Sequence, residues 1–168
     1  IAAAPTGEPA AANADDEEAE VTARLGGWRV EDGVLVGSGP PGHLFSPRGG
    51  YQDVQFPAKV KINDKGNSGM YARAALGPGW PAGYEAQVNA THADPQRSGS
   101  LDGLVPVKVQ LIPANTWFEQ RIACRDEPGG TRVTIAINGV VVPDYVDPLQ
   151  RFAQGHLALQ QHDEGSVV

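Results

Sequence analysis

Two turn dipeptides, each set between runs of alternating apolar residues, constrain this chain more than any other feature. In WRVEDGVLVG the pair Asp32-Gly33 separates two short runs, and VTIAINGVVV repeats the device at Asn138-Gly139. Asp-Gly and Asn-Gly accept the positive φ angles of a two-residue hairpin turn, so each pair predicts two antiparallel strands. Further runs with a period of two follow from Trp28 onward: HLFS, YQDVQFPAKVKIN, NSGMYARAA, GYEAQVNA, VKVQLI, WFEQRIACR, GHLALQQH and SVV. Together these predict about ten short strands. No sustained 3.6-residue period supplies the crossover helices that parallel pairing needs. The expectation is an all-β domain, a two-sheet antiparallel jelly-roll sandwich. Gly and Pro make up 35 of the 168 residues, which suits a protein of many turns. Pro57 inside its run predicts an edge strand or a bulge.

Charge divides the chain. Residues 1–23 hold six acids, nine alanines and no base. That stretch reads as an acidic, Ala-rich linker or tail, with a short helix over 14–25 as the alternative. Residues 24–168 form the sandwich domain. No charged-then-apolar leader is present, and the chain reads as a mature product or a fragment of something longer. The net charge of −7 argues against nucleic acid as a partner, and no run of about 18 apolar residues predicts a membrane span. One cysteine forms no internal disulfide, and no glycine-rich phosphate loop occurs.

Alternation assigns faces. Val133, Ile135 and Ile137 share one face of their strand, as do Phe118, Ile122 and Cys124, so Cys124 is expected in the core. Leu157 and Leu159 face inward, leaving His156, Gln160 and His162 outward. Tyr84, Ala86 and Val88 face inward, leaving Glu85, Gln87 and Asn89 outward. Asn67, Tyr71 and Arg73 share a face. Solvated sheet faces usually read Lys, Glu, Thr and Ser. Here planar hydrogen-bonding groups dominate: Asn67, Tyr71, Arg73, Glu85, Gln87, Asn89, Gln160 and His162. On neighbouring strands they form a polar floor suited to paired sugar hydroxyls, with Trp80 of the loop LGPGWPAG as a wall. The plainer reading is an ordinary outer face with Arg73 and Glu85 as a cross-strand pair. His156 and His162 lie about 20 Å apart along an extended strand, too far to share an ion. Asn89-Ala90-Thr91 has the form of a glycosylation acceptor.

The motifs NSGMYARAALGPGWPAGYEAQVN, DPQRSGSLDGLV, WFEQRIA, INGVVVPDYVD and GHLALQQHDEGSVV occur in an order that resembles the 3-keto-disaccharide hydrolase domain family. The resemblance covers about residues 26–168. It implies a concanavalin A-like jelly roll, a bacterial secreted setting (periplasmic, cell-surface or extracellular) and action on glycosides with a ketone at C3. Such a ketone acidifies the C2–H, so a base removes that proton and the C1 substituent leaves. Carried over, Glu85 and His162 are the acid/base pair with the order open, and Arg73 clamps the enolate or a hydroxyl. Asn67, Tyr71, Gln87, Asn89, Gln160, Trp80 and Asp102 would contact the sugar. No cofactor is demanded, and a divalent metal is compatible. Asp102 stands where the family often has Tyr, and the family continues past the final Val-Val with one more strand. The enzyme reading leads. A non-catalytic carbohydrate-binding module, or a structural domain of a larger chain or assembly, remains open alongside it.

Overall fold

The computed structural model describes residues 27–168. The stretch 1–23, read as a tail or linker, lies outside them. Ten strands follow in order: β1 (Trp28–Glu31), β2 (Val34–Gly37), β3 (Gly42–Phe45), β4 (Val54–Val60), β5 (Asn67–Ala75), β6 (Ala82–Asn89), β7 (Phe118–Glu127), β8 (Gly130–Ile137), β9 (Val140–Asp147) and β10 (His156–Gln161). All pair antiparallel. One sheet has the order β3-β10-β5-β6 and the other β4-β7-β8-β9, while β1 and β2 make a hairpin of their own.

Both predicted tight turns form. Asp32 and Gly33 have φ of 50° and 77°, and Asn138 and Gly139 have 48° and 81°, the double positive φ that matches a hairpin's twist. Pro57 sits in β4, which is an edge strand and so tolerates the missing N–H on its open side.

Met70, Ala72, Tyr84, Ala86 and Val88 of one sheet bury against Phe118, Ile122, Cys124, Val133, Ile135 and Ile137 of the other. Each large apolar side chain removed from water contributes on the order of 1.5–3 kcal/mol. Burial pushes the Cys124 thiol up to about 12, so it stays a neutral core residue.

Three expectations need correction. VKVQLI, residues 107–112, is not a strand, and Val109 and Leu111 are exposed. The edge of β6 that it might have joined is occupied by the segment before it: the backbone of Gln87 bonds Ser100, and the Asp102 N–H donates to the Glu85 carbonyl. Leu157 and Leu159 are both only half-buried. A register shift between His156 and Ala158 disturbs the alternation there. Leu159 does pack on the main core, while Ala158 joins a smaller cluster with Tyr71 and Ala74. The third correction concerns Arg73. A register shift between Ala72 and Ala75, with Arg73 itself at φ 56°, breaks the period-two count of β5. Its side chain therefore leaves the face of Asn67 and Tyr71.

Candidate functional site

β5, β6 and β10 lie side by side, so their outward residues form one floor. Asn67, Tyr71, Trp80, Pro81, Glu85, Gln87, Asp94, Asp102, Gln160 and His162 line a concavity of about 300 Å³ on this sheet. Eight of the ten residues proposed from the sequence are among them, which leaves Arg73 and Asn89 outside.

Tyr71 and Glu85 are direct cross-strand partners, and the Gln160 amide bridges their side chains. Gln160 Nε2 donates to Tyr71 Oη at 2.6 Å and to Glu85 Oε1 at 3.3 Å. Gly69 sits on the same face between Asn67 and Tyr71. A Cβ there would overlap Glu85 Oε1, so the NSG motif carries a glycine where the carboxyl must lie over the backbone.

Burial is the main influence on Glu85 and raises it. The Tyr71 and Gln160 hydrogen bonds oppose that, while the Asp102 and Asp94 charges add to it. The net effect lifts Glu85 to about 8, so it carries its proton at neutral pH. Asp102 is also raised, by burial and by Asp94, against a hydrogen bond from Gln96. Tyr71 is pushed far above the ordinary phenol range, chiefly by burial and then by Glu85. It stays a neutral hydroxyl.

Opposite in character is His162. Its Nδ1 lies 2.7 Å from Asp163 Oδ2. Burial would raise Asp163, but the His162 and Ser166 hydrogen bonds outweigh it and hold the carboxyl below its usual value. An ionised Asp163 is an acceptor, so His162 Nδ1–H donates and Nε2 is left able to take a proton. Trp80 stands between two imidazoles, with ring centroids 5.2 Å from His162 and 5.1 Å from His43.

Asn89 is fully buried and shapes the loop after β6. Its Nδ2 donates to the Asp94 and Gln96 carbonyls, and its Oδ1 accepts from the His92 N–H. This burial also removes it as a glycosylation acceptor. Arg73 belongs to the other end of the sandwich. Its Nη1 bonds Asp126, Thr131 and the Phe152 carbonyl, and its Nε bonds the Gln52 carbonyl. No cross-strand pair with Glu85 exists. The guanidinium ties the two sheets and two loops together and clamps nothing at the site.

The loop shaped by Asn89 brings in residues the sequence reading missed. Asp94 lines the concavity, and His92 meets His162 with ring centroids 5.4 Å apart. His92, His162 and Asp163 offer ligand atoms within 4.8 Å of one another, so a metal-ligating set exists where spacing along one strand had excluded one. The donors suit a divalent cation chemically. However, His92 Nδ1 accepts the Asp94 N–H at 3.1 Å, and His162 Nδ1 is engaged by Asp163. A cation and this hydrogen-bond arrangement are therefore alternatives. The adjacent Asp163 in QHD was the available signal for the acid. For His92 no period marks the contact, because a loop makes it.

Taken together, fold and site define an antiparallel β-sandwich domain with a polar concavity on one sheet. The family model for the 3-keto-alpha-glucoside-1,2-lyase-like domain matches residues 11–168, and the chain belongs to that family. Among solved structures it is similar to the carbohydrate binding module CBM66 from Bacillus subtilis, at 18% identity and TM-score 0.59, covering 84% of this chain and 86% of that one. The SPRY domain of human HERC1 is more distant, at 15% identity and TM-score 0.47, covering 83% and 89%. No curated protein matches the sequence.

Proposed function

We propose that the domain cleaves 3-keto-glycosides by elimination across C1–C2, with His162 as base and Glu85 as acid. The observation that carries this reading is the pairing of a carboxyl lifted to about 8 with an imidazole held on an ionised carboxylate, both lining one concavity. A carboxyl that keeps its proton at neutral pH can donate it, and an imidazole whose Nδ1–H is held by a carboxylate presents Nε2 as an acceptor.

His162 Nε2 takes the C2 proton, and its electron pair forms the C2=C3 enolate of the ketone. The pair then returns through C1–C2 as C3=O re-forms, and the C1–O bond breaks. Glu85 gives its proton to the departing oxygen. The products are a 1,2-unsaturated 3-ketosugar and the free alcohol, and addition of water at C1 completes net hydrolysis. With Arg73 out of reach, the enolate oxygen falls to the Gln87 and Asn67 amides on the same wall. The oxygens of Asn67 and Gln160 are buried without partners among the described residues, which suits acceptance from sugar hydroxyls. Running the reaction in deuterium oxide tests the step directly. Deuterium should appear at C2 of recovered ketoglycoside or of hydrated product, and cleavage without it rejects proton abstraction.

A second reading is supported by the likeness to a carbohydrate binding module: the same floor would hold a sugar without breaking it. Binding of a ketoglycoside with no cleavage would select it. The cation alternative at His92, His162 and Asp163 is separated by chelation. Activity lost and restored by a divalent ion assigns those residues to a metal, and activity retained assigns them to the His162–Asp163 pair.

A further inference from the structure

A second concavity of about 360 Å³ adjoins the first, lined by Pro41, Gly42, His43, Phe45, Gly77, Gly79 and Trp80. Trp80 is common to both linings. His43 of the second concavity is the direct cross-strand partner of Gln160 in the first, so the two share a strand pair as well as an aromatic partition. We propose that this second concavity is the subsite for the leaving group: a ring with an apolar face, either a second sugar or an aryl group, joined through C1. The inference rests on the reading of Glu85 and His162 as the reacting site.

The geometry supports it in three ways. A glycoside whose ketosugar ring occupies the first concavity must place its C1 substituent in adjoining space, and the partition between the two spaces is an indole. Trp80 is 57% exposed, so part of its indole is free to meet a ligand. Pro41, Phe45 and Trp80 then supply flat apolar surface for a ring to lie on. Apart from His43, the rest of the lining is glycine. A Cβ at Gly77 would meet no atom within 4 Å, and one at Gly42 only the Pro40 carbonyl at 3.9 Å. Those glycines are not required by close packing, so the space they leave is available to a ligand. Burial is the main influence on His43 and lowers it, which keeps a neutral ring beside Trp80.

The test is the ratio of kcat/KM for a ring-bearing substrate (phenyl 3-ketoglucoside, or a 3-keto-disaccharide) to that for methyl 3-ketoglucoside, or the ratio of Kd values if only binding is observed. Each ratio is internal to one protein, so a partly folded variant does not distort it. Wild type should favour a ring-bearing substrate by roughly tenfold or more. Gly77→Val and Gly42→Val should each lower that preference. Phenol leaves more readily than methanol in every variant, so the part of the advantage that the valines remove, for phenyl or for the disaccharide, names which ring the subsite takes. Ratios unchanged in both variants overturn the subsite while the reacting site stands. Failure of wild type to bind or cleave even methyl 3-ketoglucoside overturns the reading of Glu85 and His162, and the subsite with it.

Discussion

Tyr71 and Glu85 face each other directly across β5 and β6, with the Glu85 carboxyl over the backbone of Gly69 and both side chains joined by Gln160 from β10. That arrangement sets the chemistry of the floor. A carboxyl sunk among neutral hydroxyl and amide groups, with Asp94 and Asp102 nearby, holds its proton far above the usual range.

One consequence is a pH dependence of stability. Glu85 titrates near 4.5 ordinarily and at about 8 in the folded protein. Between those values the native state binds more protons than the unfolded chain, so this group's contribution is full below about 4.5 and is lost as pH rises through about 8. Glu85→Gln removes the term. Its melting temperature, relative to wild type, should rise from pH 5 to about pH 8 and level off above that. A flat difference across that range would show that Glu85 is not lifted.

Turnover should show the same group. Glu85 acts as a proton donor, so kcat/KM for a 3-ketoglycoside should fall above about pH 8 as the proton is lost. A rate that keeps rising through pH 9 would mean that the carboxylate, and not the acid, is the active form.

Gly69→Ala is a test of position. The nearest atoms that the added methyl would meet belong to the Glu85 side chain and not to backbone, so the sheet should persist while the carboxyl shifts. Turnover should drop by roughly 10²-fold, the scale of an ångström's misplacement, with little change in melting. Full activity in this variant would show that the placement of Glu85 is not needed.

Arg73→Met should behave in the opposite way. It leaves Asp126 and Thr131 without their guanidinium and orphans the carbonyls of Gln52 and Phe152. The expected cost is about 3 kcal/mol of stability by denaturant unfolding. Turnover per folded molecule should stay near wild type. A selective loss of kcat would return Arg73 to the reacting site.

The contrast between Glu85 and Arg73 explains how much of this protein its sequence discloses. Strand pairing was legible because Asp32-Gly33 and Asn138-Gly139 fix turn geometry locally, and because Tyr84, Ala86 and Val88 alternate without interruption. Glu85, Gln87, Gln160 and His162 were placed by the same period. Arg73 was misplaced because one left-handed residue in β5 shifts the count, and nothing in NSGMYARAA announces it. VKVQLI alternates well yet finds no ladder, since Ser100 and Asp102 already hold the edge of β6. His92 and Asp94 were missed because the Asn89 side chain, and no periodicity, folds their loop over the floor.

The most direct measurement is incubation of wild type and Glu85→Gln with a 3-keto-disaccharide and with its unoxidised parent, following both release of the alcohol and binding. The account requires cleavage of the ketosugar and not of the parent. It also requires a loss of roughly 10²-fold or more in turnover for Glu85→Gln with binding retained. Equal cleavage by the two proteins, or ketosugar bound by wild type and left intact, would contradict it.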